Sequence, residues 1–254
     1  MKTPSRTLLD ITDLAMCYPN GKQALHGASL SVRAGELAVV LGSNGSGKST
    51  LLKCVARLLT PSSGAIRVAG QDLTALSGEA LRRARMALGM VSQHANLVKR
   101  RSVIANVVSG TLGRHRNPVT ALGFLPRGEF TSAHALLDHV GLVHLARQRA
   151  GTLSGGQAQR VAIVRALAQR PSVLLADEPV ASLDPEAAQD VMGLLRRLAS
   201  EDGLAVLCVL HQPELAARYG DRIIGIQDGR ILFDTPPKGM SDHHVSTLYT
   251  TQAA

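Results

Sequence analysis

Short apolar segments, interrupted by glycine and proline, dominate residues 8–68 of the chain. Leu30 and Val32 alternate with polar neighbours, which is the period of a strand with one buried face. Residues 36–41 then form a compact, mostly apolar strand that runs directly into a glycine-rich loop. This pattern predicts that the N-terminal part of the chain is built mainly from strands.

The spacing of apolar residues becomes helical after Thr50, and we expect that helix, residues 51–59, to end before Pro61. Residues 94–150 contain helical stretches but no strong strand, around a loop at 115–130 that we expect at the surface. From Val161 onward the predicted elements alternate as a helix at 161–169, a strand at 173–177, a helix at 187–199 and a strand at 204–210. This alternation is typical of a parallel sheet covered by helices.

Composition narrows the function classes only slightly. The chain has 254 residues, of which 45% are hydrophobic and 19% charged, so one large or two small globular domains are possible. An aromatic share of 2%, without tryptophan, argues against a binder of single-stranded nucleic acid that stacks bases on aromatic rings. The net charge of +9 favours nucleic acid or an anionic membrane surface as a partner, and a generally basic proteome explains it equally well.

Three cysteines, Cys17, Cys54 and Cys208, lack the spacing of a zinc or redox motif, which favours free thiols in a reducing cytosol. The N-terminus has no apolar core of a signal peptide, and the longest apolar run, residues 204–210, is shorter than the ~20 residues that cross a bilayer. We therefore expect a soluble protein whose membrane role, if any, depends on a partner.

The strongest motif is a phosphate-binding loop between the predicted strand 36–41 and the following helix. Its glycines let backbone N–H groups point at phosphates, and the helix N-terminus adds a positive dipole end. Lys48 would reach the β- and γ-phosphates, and the Ser49 hydroxyl would bind Mg²⁺. The motif comprises Gly42, Ser43, Asn44, Gly45, Ser46, Gly47, Lys48, Ser49 and Thr50.

Two acidic residues end the apolar strand at 173–177. A carboxylate at the carboxyl edge of the sheet lies where the Mg²⁺ of a phosphate-loop site would sit, so Asp177 is the predicted metal ligand. Glu178, the next residue, can orient and deprotonate an attacking water.

A further motif precedes the helical segment at 161–169. Its residues, Ser154, Gly155, Gly156 and Gln157, are typical of a helix start that offers backbone N–H groups and a hydroxyl to an anion. An ordinary N-cap serine explains the same residues about equally well.

In their order and spacing, these motifs resemble the ATP-binding cassette of ABC transporters over nearly the whole chain. The resemblance implies that Tyr18 stacks on adenine and that Gln93 links the nucleotide and its Mg²⁺ to the membrane subunits. It also implies that Asp184, in the segment 181–184, and His211 approach the nucleotide, with His211 on the γ-phosphate beside the catalytic Glu178 and Lys48. Each of these residues taken alone could have an ordinary structural role.

The resemblance implies an α/β fold: a phosphate-loop core with a parallel sheet, an N-terminal antiparallel β portion and a helical subdomain inserted near residues 94–165. It implies a single domain at 8–251 with tails at 1–7 and 252–254. The family hydrolyses ATP as a head-to-tail homodimer, with each ATP and Mg²⁺ between the phosphate loop of one subunit and the motif at residues 154–157, the family's signature, of the other. Such a dimer binds integral-membrane permease subunits at the cytoplasmic face of the inner membrane and serves a solute-binding protein indirectly.

In more detail, the sequences of residues 89–113, 176–192 and 222–231 are similar to those of the ATPase subunits of phosphonate importers. Phosphate, phosphite or amino acid import stays open as an alternative. A nucleic-acid-associated cassette is a further alternative, although Lys48 and Ser154 are only 106 residues apart, with no heptad run between them. Ala158 and Val164 stand where the family more often has Gln and Ala, which affects expected coupling or packing but not ATP binding.

Basic clusters at 82–85 and 99–101 have two interpretations. They can contact an anionic leaflet or acidic permease loops, or they can be solvated surface. The adjacent His243 and His244 are not assigned to a metal.

Overall fold

The structure is a computed structural model that describes residues 6–115 and 125–249. In this described part, an antiparallel sheet runs in the order β2, β1, β4, β5. Its strands are β1 (Thr7–Cys17), β2 (Gln23–Arg33), β4 (Ser63–Val68) and β5 (Gln71–Asp72). This sheet confirms the antiparallel β portion expected near the N-terminus.

A larger sheet has the order β10, β9, β3, β8, β7, β6 over the described residues. Its strands are β3 (Leu37–Leu41), β6 (Leu88–Val91), β7 (Val173–Asp177), β8 (Ala205–Val209), β9 (Arg222–Gln227) and β10 (Arg230–Thr235). All neighbours pair in parallel except β10, which pairs antiparallel with β9. The carboxyl ends of β3, β7 and β8 therefore meet at one edge of the sheet.

Burial on both faces explains the uninterrupted apolar sequence of β3. Leu37 and Val39 pack into a core shared with the helices, whereas Ala38 and Val40 pack into a second core shared with the antiparallel sheet. A strand covered on both faces needs apolar residues at every position, because no side chain reaches water. β3 is thus held rigidly just before the phosphate loop.

The described helices cover both faces of the larger sheet and form the inserted subdomain. They are α1 (Lys48–Val55), α2 (Gly78–Ala84), α3 (Val103–Ser109), α4 (Arg127–His139), α5 (Gly155–Leu167), α6 (Pro185–Ser200), α7 (Pro213–Tyr219) and α8 (Asp242–Tyr249). The predicted helical subdomain consists of α3, α4 and α5. None of the described helices combines the length and apolar composition that crossing a bilayer requires.

The helix predicted at 51–59 is shorter in the structure, because α1 ends at Val55. Arg57 adopts a left-handed φ of 53°, its N–H donates to Cys54 O, and the N–H of Leu58 donates to Lys53 O. These two bonds close the helix in a Schellman-type end. Periodicity misses this stop because Leu58, although apolar, is 53% exposed.

The surface loop predicted at 115–130 is only partly described. Residues 127–130 already belong to α4, because Pro126 caps a segment of helical spacing, and residues 116–124 lie outside the described residues. The domain limits 8 and 251 stay a prediction: β1 begins at Thr7, and residue 251 is not described.

Candidate functional site

The loop from Gly42 to Gly47 joins β3 to α1 and is shaped by its glycines. Gly47 has a φ of 106°, a conformation that other residues adopt only with strain. A Cβ on Gly42 would lie 2.3 Å from the backbone oxygen of Ile226. The side chain of Ser46 is buried and its hydroxyl has no hydrogen-bond partner among the described residues. Only glycine permits this close turn, and the turn leaves polar groups of the loop available to a ligand.

Lys48 is buried, with 4% of its surface exposed, and its ammonium group lies inside the loop. Its Nζ donates to the backbone oxygens of Gly42 and Ser43, at 2.8 Å each. Burial lowers the pKa of Lys48, whereas the nearby charges of Glu178 and Asp177 raise it. A desolvated cation held by two carbonyl oxygens is well suited to receive a phosphate.

Ser49 and Asp177 bring a hydroxyl and a carboxylate together at the carboxyl edge of the sheet. The Ser49 hydroxyl donates to Asp177 Oδ1 at 3.1 Å. Burial raises the pKa of Asp177, the bond from Ser49 lowers it, and the neighbouring Glu178 raises it further. Both side chains offer the hard oxygen ligands that Mg²⁺ prefers, so this pair fits the cation expected with ATP.

Glu178 and His211, 33 residues apart in the chain, share a hydrogen bond. His211 Nε2 and Glu178 Oε1 are 2.5 Å apart. The parallel pairing of β7 with β8, which sets Asp177 opposite Val209, places the two residues side by side. Glu178 has a φ of 50°, an uncommon conformation outside glycine that is frequently found at functional sites. The turn after β7 thus directs a carboxylate toward the histidine that follows β8.

A cavity of about 250 Å³ opens over the phosphate loop. Among the predicted residues, its lining includes Lys48, Ser49, Thr50, Tyr18 and Glu178. The hydroxyls of Tyr18 and Thr50 share a hydrogen bond of 3.1 Å, which fixes the tyrosine beside the loop. Lys22, in the β1–β2 connection, and Ala24, at the start of β2, also line the cavity. Sequence reasoning missed both, although their closeness to Tyr18 in the sequence was a usable signal.

The signature residues lie outside this cavity. Ser154 caps α5 with a capping box: Gln157 N–H donates to Ser154 Oγ at 3.3 Å, and the Ser154 N–H donates to Gln157 Oε1 at 3.0 Å. A Cβ on Gly155 would lie 3.1 Å from Leu183, and one on Gly156 would lie 2.7 Å from Ala187. The N-cap interpretation therefore holds, and the glycines allow α5 to approach Leu183 and the first turn of α6 closely.

Asp184 and Gln93 also lie outside the cavity's lining. Asp184 is the N-cap of α6, because its Oδ1 accepts from the N–H of Ala187 at 2.9 Å. Gln93 is exposed in the segment after β6. The roles that the family resemblance implies for both residues stay predictions.

Two side chains of α5 hold the segment that contains Gln93. Gln159 Nε2 donates to Ser92 O at 2.9 Å, and Arg165 donates to Ala95 O at 2.8 Å and to Asn96 O at 2.7 Å. Sequence reasoning missed both residues, because partners about 70 positions apart leave no local pattern. The helix that carries the signature is thereby tied to the Gln93 segment.

Two residues of α5, Ala158 and Val164, differ from those that the family more often has, and their surroundings in the structure are different. Val164 is fully buried in the core with the helices, so the extra methyl groups relative to Ala are accommodated by packing. Ala158 is half-buried on the first turns of α5.

A family model described as ABC transporter matches residues 25–181. The chain belongs to the ABC transporter family. The chain is also 43% identical over 242 residues to a phosphonates import ATP-binding protein of Halalkalibacterium halodurans, covering 95% of this chain and 99% of that protein. It is 44% identical over 251 residues to a phosphite import ATP-binding protein of Stutzerimonas stutzeri, covering 97% of this chain and 90% of that protein.

Solved structures agree with this family assignment. The ADP conformation of an ATP-binding cassette of an ABC transporter superposes with a TM-score of 0.85 at 26% identity, covering 98% of this chain and all of that one. A dimeric post-hydrolysis cassette bound to ADP and Pi superposes with a TM-score of 0.77 at 30% identity, covering 92% and 100%. The expected cassette fold and the expected enzyme class, an ATP hydrolase coupled to transport, are confirmed.

Proposed function

We propose that ATP hydrolysis by this chain powers the import of phosphonate or a closely related phosphorus oxyanion. One observation carries the proposal: four side chains lie together at the carboxyl edge of the larger sheet, those of Lys48, Asp177, Glu178 and His211. Relatives named for phosphonate and phosphite import, similar over nearly their whole lengths, support the choice of solute. Phosphite is the principal alternative solute.

Within the site, the proposed roles follow from position. The loop N–H groups and Lys48 bind the β- and γ-phosphates, and Tyr18 stacks on the adenine. Ser49 and Asp177 would hold Mg²⁺, with Gln93 joining them when the nucleotide is bound. When bound, the cation neutralises charge on the phosphate oxygens.

The reaction needs a general base and a side chain that donates a hydrogen bond to the γ-phosphate. Glu178 accepts a proton from water as the water oxygen bonds to the γ-phosphorus, and the bond to the bridging oxygen breaks to give ADP and inorganic phosphate. His211, hydrogen-bonded to Glu178, orients that carboxylate and donates to the γ-phosphate.

A homodimer completes the proposed site. Ser154 and its neighbouring N–H groups at the start of α5 form an anion-binding surface that does not line the cavity of its own chain. In a head-to-tail dimer, this surface on one subunit would face the nucleotide on the partner subunit. Asp184, packed beside the signature, would lie at the same interface.

A groove of about 610 Å³ is the proposed docking place for the membrane subunits. Leu58, Met86 and Met90 give it an apolar lining, and Arg82, Arg85 and Arg165 give it positive charge. Burial lowers the pKa of Arg165, whose guanidinium is bonded to backbone oxygens of the Gln93 segment. We infer that an amphipathic, acid-bearing segment of the permease binds here and reaches the Gln93 segment through Arg165, at the cytoplasmic face of the membrane.

The two basic clusters differ in the structure. Arg82 and Arg83 contact Glu79, and Arg82 and Arg85 line the groove. The cluster at 99–101 is exposed and pairs along its backbone with residues 150 and 151. The first cluster therefore supports permease docking more directly than the second.

The test is ATP hydrolysis by the complete transporter in liposomes, reconstituted from this chain, its membrane subunits and its solute-binding protein. Binding protein loaded with methylphosphonate should stimulate hydrolysis, and protein loaded with an amino acid should not. A complex with Lys48→Ala should remain assembled but inactive. Stimulation by an amino acid, without stimulation by methylphosphonate or phosphite, would contradict the proposed solute.

Docking has its own variant. Arg85→Glu should reduce co-purification with the membrane subunits, whereas Arg230→Glu, an equal change of charge on β10, should not. Equal retention of the membrane subunits by both variants would place the docking surface elsewhere.

A further inference from the structure

The last described residue, Tyr249, reaches the catalytic edge of the sheet from the end of α8. Its hydroxyl donates to the backbone oxygen of His211 at 2.9 Å. Burial raises the pKa of Tyr249, and the backbone of Gly42, the first glycine of the phosphate loop, lowers it. The phenol group is therefore bonded to the segment that carries His211, at the side of the sheet where the phosphate loop begins.

The helix that supplies this hydroxyl is firmly anchored. Leu248 is buried in the core formed with the helices, and Tyr249 packs against the same core. At the other end of α8, the ring of His244 stacks against Phe233 of β10, with centroids 4.4 Å apart. Contacts on both sides keep the tyrosine in place.

His211 depends on this contact more than the phosphate loop does. Lys48 binds two carbonyl oxygens of the loop, and the N–H of Gly229 donates to Ser46 O. The loop is therefore held by hydrogen bonds that do not involve Tyr249. Over residues 6–115 and 125–249, the Tyr249 hydroxyl is the one hydrogen-bond donor to the His211 backbone oxygen.

We propose that Tyr249 is a positioning residue for hydrolysis, which holds the backbone of His211 in place so that its imidazole meets Glu178. The proposal rests on the role given above to His211. Loss of the hydroxyl frees the His211 segment to shift, and its imidazole then meets Glu178 and the γ-phosphate less accurately. ATP binding stays, because the loop and Lys48 are unchanged.

The first test compares Tyr249→Phe with Tyr219→Phe in the full-length chain. Both variants lose one hydroxyl, and Tyr219 packs on the same core from α7. Tyr249→Phe should lower kcat for ATP about 10-fold, within the about 100-fold that a misplacement of 1 Å can cause, and leave KM within twofold. Tyr219→Phe should leave both constants unchanged.

The second test asks whether Tyr249 acts through His211. In a double-mutant cycle with His211→Ala, followed by single-turnover hydrolysis, adding Tyr249→Phe should change the remaining rate by less than twofold. A full 10-fold loss in the His211→Ala background would overturn the proposal, as would a raised KM with unchanged kcat or a Tyr249→Phe enzyme with wild-type kcat.

The outcomes separate this proposal from the assigned role of His211. If His211→Ala itself hydrolyses ATP at the wild-type rate, the role of His211 is wrong. If His211→Ala is impaired and Tyr249→Phe is not, only the positioning role of Tyr249 is wrong. Thermal unfolding of each variant verifies that it is folded.

Discussion

At the residue scale, the carboxyl edge of the larger sheet combines an uncommon backbone conformation with a short side-chain contact. Glu178 turns away from β7 with a positive φ, and its carboxylate meets His211. A strained conformation persists only where surrounding contacts over-determine it. Here the Glu178 N–H also donates to Val209 O, which ties the turn to β8.

Replacing Glu178 by Gln tests the general base. The amide keeps the shape and can still bond to His211, but it cannot accept a proton from water, so hydrolysis should fall about 10²–10⁴-fold. ATP affinity should stay or rise, because a negative charge near the γ-phosphate is removed. Size-exclusion chromatography with Mg-ATP should show an accumulated dimer, and without nucleotide a monomer. A near wild-type rate would move the base elsewhere, with His211 the next candidate.

Replacing Asp177 by Asn tests the cost of its burial. Since the folded-state pKa of Asp177 is raised, the folded protein binds more protons between the ordinary and the raised pKa, and the free energy of unfolding falls as pH rises through that window. At neutral pH the ionised carboxylate is therefore destabilising without a cation. Asp177→Asn should raise Tm in EDTA by up to about 3 °C, the shift that about 1 kcal/mol produces at this size.

The same Asp177→Asn variant should lose Mg²⁺-dependent hydrolysis. Asp138→Asn, on an exposed position of α4, is the matched control and should change neither property. A lowered Tm for Asp177→Asn in EDTA would show that the carboxylate stabilises the ligand-free fold instead.

At the element scale, the start of α6 separates a structural from a functional role of one side chain. Asp184 caps the helix, so Asp184→Ala should cost about 1 kcal/mol and lower Tm by about 2–4 °C. Asp184→Asn keeps an equally good cap and should keep Tm. If Asp184→Asn still loses hydrolysis, the carboxylate acts at the dimer interface; an unchanged Tm for Asp184→Ala would argue against the cap.

The elements around α5 form a connected unit. Gln159 and Arg165 hold the Gln93 segment, and the glycines at the start of α5 allow close packing against Leu183 and the first turn of α6. A shift of α5 would therefore move the Gln93 segment and the signature together. This connection gives the proposed permease groove a direct mechanical link to the surface that closes on ATP.

At the scale of the whole molecule, the proposed head-to-tail dimer uses two separate surfaces of each chain, the phosphate loop and the signature. Ser154→Arg should leave ATP binding to isolated subunits intact but block ATP-dependent dimerisation and hydrolysis. The reason is that the arginine side chain, larger than serine and positively charged, would fill the proposed anion-binding surface at the dimer interface. Ser200→Arg, at the exposed end of α6, should leave both unaffected. Unchanged hydrolysis by Ser154→Arg in the assembled transporter would refute a signature acting on the partner's nucleotide.

The sequence alone determined the features that depend on local conformation and on burial periodicity. The phosphate loop could be identified because its glycine spacing, its lysine and the flanking apolar strand are adjacent in the chain. β3, β7 and β8 were predictable because strands buried on both faces carry continuous apolar runs, as Leu37–Leu41 does. The family resemblance added Tyr18, Asp184 and His211, which no local pattern distinguishes from ordinary structural residues.

Only the tertiary structure decided which distant residues meet. The β7–β8 register brings Glu178 to His211, and the packing of α5 and α8 brings Arg165 to the Gln93 segment and Tyr249 to His211. The end of α1 was also decided by geometry, since the left-handed conformation of Arg57 overrides an apolar spacing that continues to Leu59. Such contacts depend on where whole elements pack, and a side chain's sequence neighbours carry no information about a partner tens of residues away.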